Sequence, residues 1–252
     1  MRSELSVFLL AVQFLTRLPV PVGDAYTPER FAASVRYYPA VGALVGGLCA
    51  LVYAIAILVF PQSLSVMCAV SAGVVITGGF HEDGLADTAD GVGGGQSRDQ
   101  ALEIMKDSRI GTYGVLALGL VTAAMVSGLA TLSPGEIPVA LVMTHGLSRL
   151  SSVWVIATSR YVRAEGTGKP VSQGVSRLGL AVATATGLAL CIGGAAVLPF
   201  PALGCAGLGL ALGHGLSRLS FERKLGGYTG DTLGATQQLS ALGVYWGLAA
   251  WA

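Results

Sequence analysis

The chain has 252 residues, of which 53% are apolar and only 12% charged, with 15 Lys and Arg against 14 Asp and Glu. An ordinary soluble domain carries ~25% charged residues; so few charges, with a mean hydropathy of +0.68, exclude a soluble enzyme and a disordered chain. The even balance of charge excludes a nucleic-acid binder, which needs a basic patch.

In chain order, the N-terminal apolar run Leu5 to Phe14 is short and is followed by Thr16-Arg17-Leu18-Pro19 instead of a small-residue cleavage site. It predicts an amphipathic or re-entrant segment and no cleavable signal peptide. Beyond it, no Asp, Glu, Lys or Arg stands between Arg36 and Glu82, between Arg109 and Glu136, between Arg177 and Arg218, or after Asp231. A helix crossing a bilayer needs about 20 apolar residues, so the first and third gaps each hold two crossings. Crossings are predicted at 38–60, 64–80, 110–132, 137–158, 178–198, 200–217 and 236–252, separated by Pro61-Gln62-Ser63, Ser133-Pro134-Gly135 and Pro199-Phe200-Pro201 within the hairpins. The expectation is an all-α polytopic membrane bundle of about seven helices, one integral membrane domain over residues 1–252 with the lipid bilayer as its surroundings. Small-residue spacings such as Gly42/Gly46 and Gly204/Gly207 predict close helix approach in lipid. Cys49, Cys68, Cys191 and Cys205 all fall in apolar stretches and read as packing residues.

Orientation comes from the connecting segments. Residues 1–36 carry Arg2, Arg17, Arg30 and Arg36; the segments 81–109, 159–177 and 218–235 carry further Lys and Arg, while the turns at 61–63, 133–136 and 199–201 carry none. By the positive-inside rule the N-terminus and the three long loops are cytoplasmic and the C-terminus lies outside; the expected location is the inner membrane of the cell.

The chemistry concentrates in His81-Glu82-Asp83-Gly84-Leu85-Ala86-Asp87-Thr88-Ala89-Asp90-Gly91, four acids in nine residues. On a helix Asp83, Asp87 and Asp90 share one face, where their charges repel unless a cation lies between them. Hard oxygen ligands without Cys select Mg²⁺ or Mn²⁺, and Mg²⁺ is usually completed by substrate phosphates. A diphosphate substrate is therefore expected. Glu82 is either a fourth ligand or a solvated neighbour; His81 is a general base, a substrate donor or a helix-end residue. The following glycines, Gly93 and Gly94 among them, offer backbone N–H groups to an anion, and Lys106 and Arg109 offer charge to phosphate oxygens. The Gly/Thr-rich segment around Asp231 either closes over a phosphate, adds a metal ligand or is a connector. Arg149, four residues after His145 in the fourth crossing, is a functional candidate because an intramembrane Arg is costly; pairing with a carboxylate is its structural alternative. His214 and Arg218 repeat the spacing, with His214 read as packing.

The acidic segment and Ile104-Met105-Lys106-Asp107-Ser108-Arg109-Ile110-Gly111-Thr112-Tyr113-Gly114 resemble the cobalamin synthase (adenosylcobinamide-GDP ribazoletransferase) family. So do Phe14-Leu15-Thr16-Arg17-Leu18-Pro19-Val20-Pro21, Tyr38-Pro39-Ala40-Val41-Gly42 and Gly227-Tyr228-Thr229-Gly230-Asp231-Thr232-Leu233-Gly234-Ala235, in order along nearly the whole chain. The resemblance implies a Mg²⁺-dependent membrane enzyme of late vitamin B12 assembly. It would join adenosylcobinamide-GDP to α-ribazole or its 5′-phosphate and release GMP. Asp83 and Asp87, with Asp90 or Glu82, would hold the metal, and His81 or a remaining acid would take the proton. The alternatives are a CDP-alcohol or prenyl-diphosphate type of membrane phosphotransferase, or a cation transporter. The CDP-alcohol pattern continues with Ala-Arg where this chain has Ala86-Asp87, and prenyl transferases use two Asp-rich sites where this chain has one.

Overall fold

Prolines and glycines set the helix boundaries. The computed structural model describes residues 2–23, 26–163 and 174–252. It begins with α1 (Arg2–Leu15) and α2 (Pro28–Ser34), which runs through a short 3₁₀ turn into α3 (Tyr38–Ala56). There follow α4 (Gln62–Thr77), α5 (Phe80–Gly94), α6 (Arg98–Ile104), α7 (Thr112–Leu129) and α8 (Glu136–Thr158). The chain closes with α9 (Arg177–Gly194), α10 (Phe200–Leu225) and α11 (Gly230–Ala249). Pro61 and Pro199 precede α4 and α10, where a missing N–H costs nothing; Gly78 and Gly226, both in left-handed backbone, end them.

Helices stand at all seven predicted crossings, and the all-α expectation is met. Five segments are long and apolar enough to cross a bilayer by themselves: Pro28–Ala56, α7, α8, α9 and α10. The predicted crossing at 64–80 is shorter, ending at Thr77, because Gly78 and Gly79 turn the chain by 88° into α5. The last predicted crossing, 236–252, begins earlier, at Gly230, and is less apolar because it lies inside the bundle and buries Thr232, Thr236, Gln237, Gln238 and Ser240. Several of these groups pair between helices: Ser151 Oγ lies 2.7 Å from Ser240 Oγ, Gln237 Nε2 donates to Ser148 Oγ at 3.0 Å, and Ser217 Oγ lies 3.0 Å from Thr236 Oγ1. Polar pairs of this kind hold helices together where water cannot compete.

Two predicted loops are largely helix. Residues 81–109 fold as α5 and α6, and α10 runs to Leu225, so only a short turn separates it from α11. Polarity, read as a loop, here marks helices lying at the end of the bundle. The predicted loop 159–177 falls partly on residues 164–173, outside the described residues.

Close helix approach occurs at Gly42 and Gly46 as predicted: a methyl group on either would collide with the backbone of α8, at His145 and Leu141. Gly204 and Gly207 differ from expectation by facing open space; on α10 it is Gly209 and Gly213 that meet α11 backbone to backbone. α10 thus packs along α11 and α3 along α8.

The two ends of the bundle are distinct. At one end Gln62 Nε2 donates to the carbonyls of Ala130 and Leu132, joining two uncharged turns. At the other, Arg98 Nε donates to Leu225 O at 2.9 Å, Arg160 Nε to Gly226 O at 2.8 Å and Arg163 Nη2 to Met105 O at 3.2 Å. A single parallel bridge, Tyr228 N to Arg160 O at 2.8 Å and Val162 N to Tyr228 O at 3.0 Å, fastens residues 160–162 to the α10–α11 turn.

Candidate active site

The bend at Gly78-Gly79 lays α5 across the basic end of the bundle. Beside it opens a cavity of about 790 Å³. Its polar wall comprises Arg17, Asp83, Asp87, Lys106, Asp107 and Ser108; Phe14, Phe80, Ile110 and Leu118 make an apolar wall. Phe14 and Phe80 are fixed edge to face, ring centroids 5.3 Å apart. Asp83 and Asp87 lie one helical turn apart on the cavity side of α5, as the spacing predicts.

A third carboxylate arrives from α11. Gly84 and Gly234 are the crossing point: a Cβ on Gly84 would lie 2.6 Å from Asp231 O, and one on Gly234 3.0 Å from His81 O. With only hydrogens there, the first turn of α11 brings the charge of Asp231 to bear on both Asp83 and Asp87. That turn is held by a reciprocal cap in which Thr232 Oγ1 accepts from Thr229 N at 2.9 Å and Thr229 Oγ1 accepts from Thr232 N at 3.3 Å. Arg163 Nη2 stands 2.8 Å from Asp231 Oδ2, an ion pair without good hydrogen-bond alignment. Arg163 is a site residue that sequence reading treated only as a loop cation; its place depends on the Tyr161–Tyr228 bridge, which no local pattern announces.

Negative charge accumulates around Asp87. Half-buried Asp87 is pushed up to about 7, first by burial and then by the negative charges of Asp231 and Asp83, against the partial relief of Arg163. Among the described residues no three His, Cys, Asp or Glu side chains converge closely enough to hold a metal by themselves. Asp83 and Asp87 are hard oxygen donors, the type Mg²⁺ takes one or two of with phosphate or water completing its shell, so their chemistry is compatible with that ion.

Of the other predicted residues, Lys106 lines the cavity and the rest lie elsewhere. Asp90 is buried, and its two oxygens accept from Gly111 N at 2.7 Å and Gly114 N at 2.9 Å, capping the start of α7. Glu82 turns away from the cavity: Oε1 accepts from Gln238 Nε2 at 2.7 Å, and Oε2 is buried without a partner. It lines a separate chamber of about 40 Å³ with His81, His145 and Arg149. Arg149 is 2% exposed and its Nη1 donates to His145 O at 3.0 Å; Glu82 is the acidic group whose charge reaches it. His81 is buried and lies outside the large cavity; burial first, then the charges of Arg149 and His145, keep its imidazole neutral. Gly93 and Gly94 sit in the last turn of α5 against Tyr113 and Ile104, so their N–H groups belong to the helix. Lys106 lines the cavity, whereas Arg109 is turned onto Asp107, with Nη2–Oδ2 2.6 Å, which holds the exposed Asp107 carboxyl down to about 2. Arg17, Asp107 and Ser108 line the cavity without having been singled out as site residues from sequence.

Apolar helices that open at their basic end onto a cavity lined by both carboxylates and cations define a polytopic membrane protein with a polar site at its surface. The chain belongs to the family described as Cobalamin-5-phosphate synthase, whose model matches residues 7–249. It is 44% identical to the Adenosylcobinamide-GDP ribazoletransferase of Shewanella woodyi over 97% of this chain and 96% of that protein. It is likewise 44% identical to the protein of the same name from Leptothrix cholodnii, over 97% and 95%, and 40% identical to that of Vibrio cholerae, over 97% and 94%. No solved structure matches it.

Proposed function

We propose that this chain is an adenosylcobinamide-GDP ribazoletransferase, joining adenosylcobinamide-GDP to α-ribazole or its 5′-phosphate and releasing GMP. Full-length similarity to relatives of that name supports the reading. The observation from the fold that carries it is one cavity lined by Asp83, Asp87, Arg17 and Lys106 together with Phe14 and Phe80, charges of both signs and an apolar surface suited to a metal-bound diphosphate. The ribazole hydroxyl oxygen forms a bond to the cobinamide-side phosphorus, and the bond from that phosphorus to the departing GMP breaks. A carboxylate of the cavity, Asp83 or Asp87, would take the hydroxyl proton, since His81 lies outside this cavity. Bound Mg²⁺ supplies charge stabilisation for the diphosphate and the leaving group. Asp83 and Asp87 would hold it, and Lys106, which lines the same cavity, would offset the phosphate charge. Arg163 holds Asp231 beside the pair.

The same basic end is assigned to the cytoplasm of an inner-membrane protein, with the N-terminus inside. The support is that Arg98, Arg160, Arg163 and Arg218 gather there while the opposite turns carry no Lys or Arg.

The test is GMP release by detergent-purified protein given adenosylcobinamide-GDP and α-ribazole 5′-phosphate, with Mg²⁺ and with EDTA. GMP and a cobalamin product with Mg²⁺ only are expected. Equal turnover in EDTA would remove the metal, and no product from folded protein would overturn the assignment.

A further inference from the structure

We infer that Arg17 is a substrate-binding residue, its guanidinium the ligand for a phosphate oxygen of a diphosphate held in the cavity beside Asp83 and Asp87. This rests on the proposed reading of that cavity and adds a residue to it. Arg17 lies just past α1, far in sequence from the acidic segment. It is brought to the cavity by a backbone bond, Arg17 N to Ile76 O at 2.7 Å, at the last turn of α4. Thr16 steadies the approach: its Oγ1 donates to Val12 O at 2.7 Å and accepts from Leu18 N at 3.2 Å.

The side chain then passes directly over Gly78. A Cβ at that position would collide with Arg17 Nε, and the left-handed φ of +70° there already disfavours one. The bend that swings α5 outward therefore also clears the path of the guanidinium into the cavity.

Lack of a charge partner together with a place in the cavity separates Arg17 from the other arginines: Arg177 and Arg223 are also unpaired among the described residues, but they do not line the cavity. Arg109 is spent on Asp107, Arg163 on Asp231, Arg218 on Glu222, and Arg98 and Arg160 on backbone carbonyls. The Arg17 guanidinium has no hydrogen-bond or ion-pair partner among the described residues, yet it lines the same cavity as two carboxylates. It is close enough to share their space and is not neutralised by them. A Mg²⁺-bound diphosphate presents oxygens that the metal does not use, and a planar guanidinium fork is the side chain best shaped to take two of them.

The chemistry recognised is a phosphate oxygen, which a nucleotide-linked diphosphate or a lipid headgroup at the membrane surface supplies; the structure places it in the cavity, and so with the diphosphate. The experiment measures binding of Mg²⁺-pyrophosphate by calorimetry, and KM for both substrates, in wild type, Arg17→Gln and Arg17→Lys, with thermal unfolding alongside. Losing charge-assisted hydrogen bonds should weaken pyrophosphate binding and raise KM for adenosylcobinamide-GDP about 10–100-fold in Arg17→Gln. Arg17→Lys should recover part of this, and KM for α-ribazole 5′-phosphate and the unfolding temperature should not move. Unchanged pyrophosphate binding in Arg17→Gln would overturn the inference, and activity that then depended on anionic lipid would assign the guanidinium to a headgroup. A lowered unfolding temperature with both KM values unchanged would overturn it in favour of a structural role. If the wild type binds pyrophosphate through Arg17 but turns over no corrinoid, the diphosphate site stands and the substrate reading fails.

Discussion

Glu82 and Asp83 are consecutive acids on one helix, yet they face different worlds. Asp83 is exposed in a wide cavity that cations also line, while Glu82 points into a small separate chamber toward Gln238 and the buried Arg149. A helix turns about 100° per residue, so neighbours in sequence diverge on the surface. What each carboxylate does is then decided by what lies opposite. On the open side a carboxylate is free to meet a cation that comes and goes with substrate. On the other side it answers a fixed charge and ties α5 to the core. A dense acidic motif is thus part site and part anchor, and composition alone does not divide it.

The comparison breaks most sharply at Asp83. Asp83→Asn should cost about 10³-fold or more in the rate of GMP release, several kcal/mol of transition-state stabilisation. Because that side chain is exposed and has no hydrogen bond in the structure, the unfolding temperature should stay near wild type; a collapsed fold would place Asp83 on the anchoring side. Next comes Arg149→Met, expected to lose about 1–3 kcal/mol of stability in detergent by leaving His145 O without its donor and the half-buried Glu82 without a nearby cation. Adding Glu82→Gln to it should restore part of that loss, and Glu82→Gln by itself should leave the Mg²⁺ activation constant unchanged. A Mg²⁺ requirement shifted by Glu82→Gln would return that residue to the metal.

Asp90→Ala should remove the cap of α7 and cost about 1–2 kcal/mol in unfolding free energy, with a far smaller effect on turnover than Asp83→Asn. The smallest effect is in pH dependence. Asp87 titrates near 7 in the folded protein, above its ordinary value of about 4, so the folded state binds the proton more tightly than the unfolded state. Stability without Mg²⁺ should therefore fall as pH rises from about 4 to about 7, and thermal unfolding of Asp87→Asn should show a flatter profile across that window. Saturating Mg²⁺ should flatten it in the same way.

Membrane character, the all-helical class, the positions of seven helices and the importance of the 81–91 segment all stand in the sequence. Their physical causes are local: uncharged runs long enough to span lipid, prolines and glycines at the breaks, and acids at helical spacing. Where sequence reading went astray, the cause was distance. The polar stretch 81–109 is helix because its residues pack against other elements at the end of the bundle. Asp90 belongs to α7 because Gly111 and Gly114, more than 20 positions on, present their amides to it. Asp231 and Arg163 join the acids through a glycine crossing and a bridge between separate turns, and Arg17 reaches the cavity only across Gly78. Which residues share a helix face follows from the spacing in the chain. Which face meets the cavity, and which charge stands opposite, was decided by helix packing, because burial and pairing depend on neighbours that are remote in sequence.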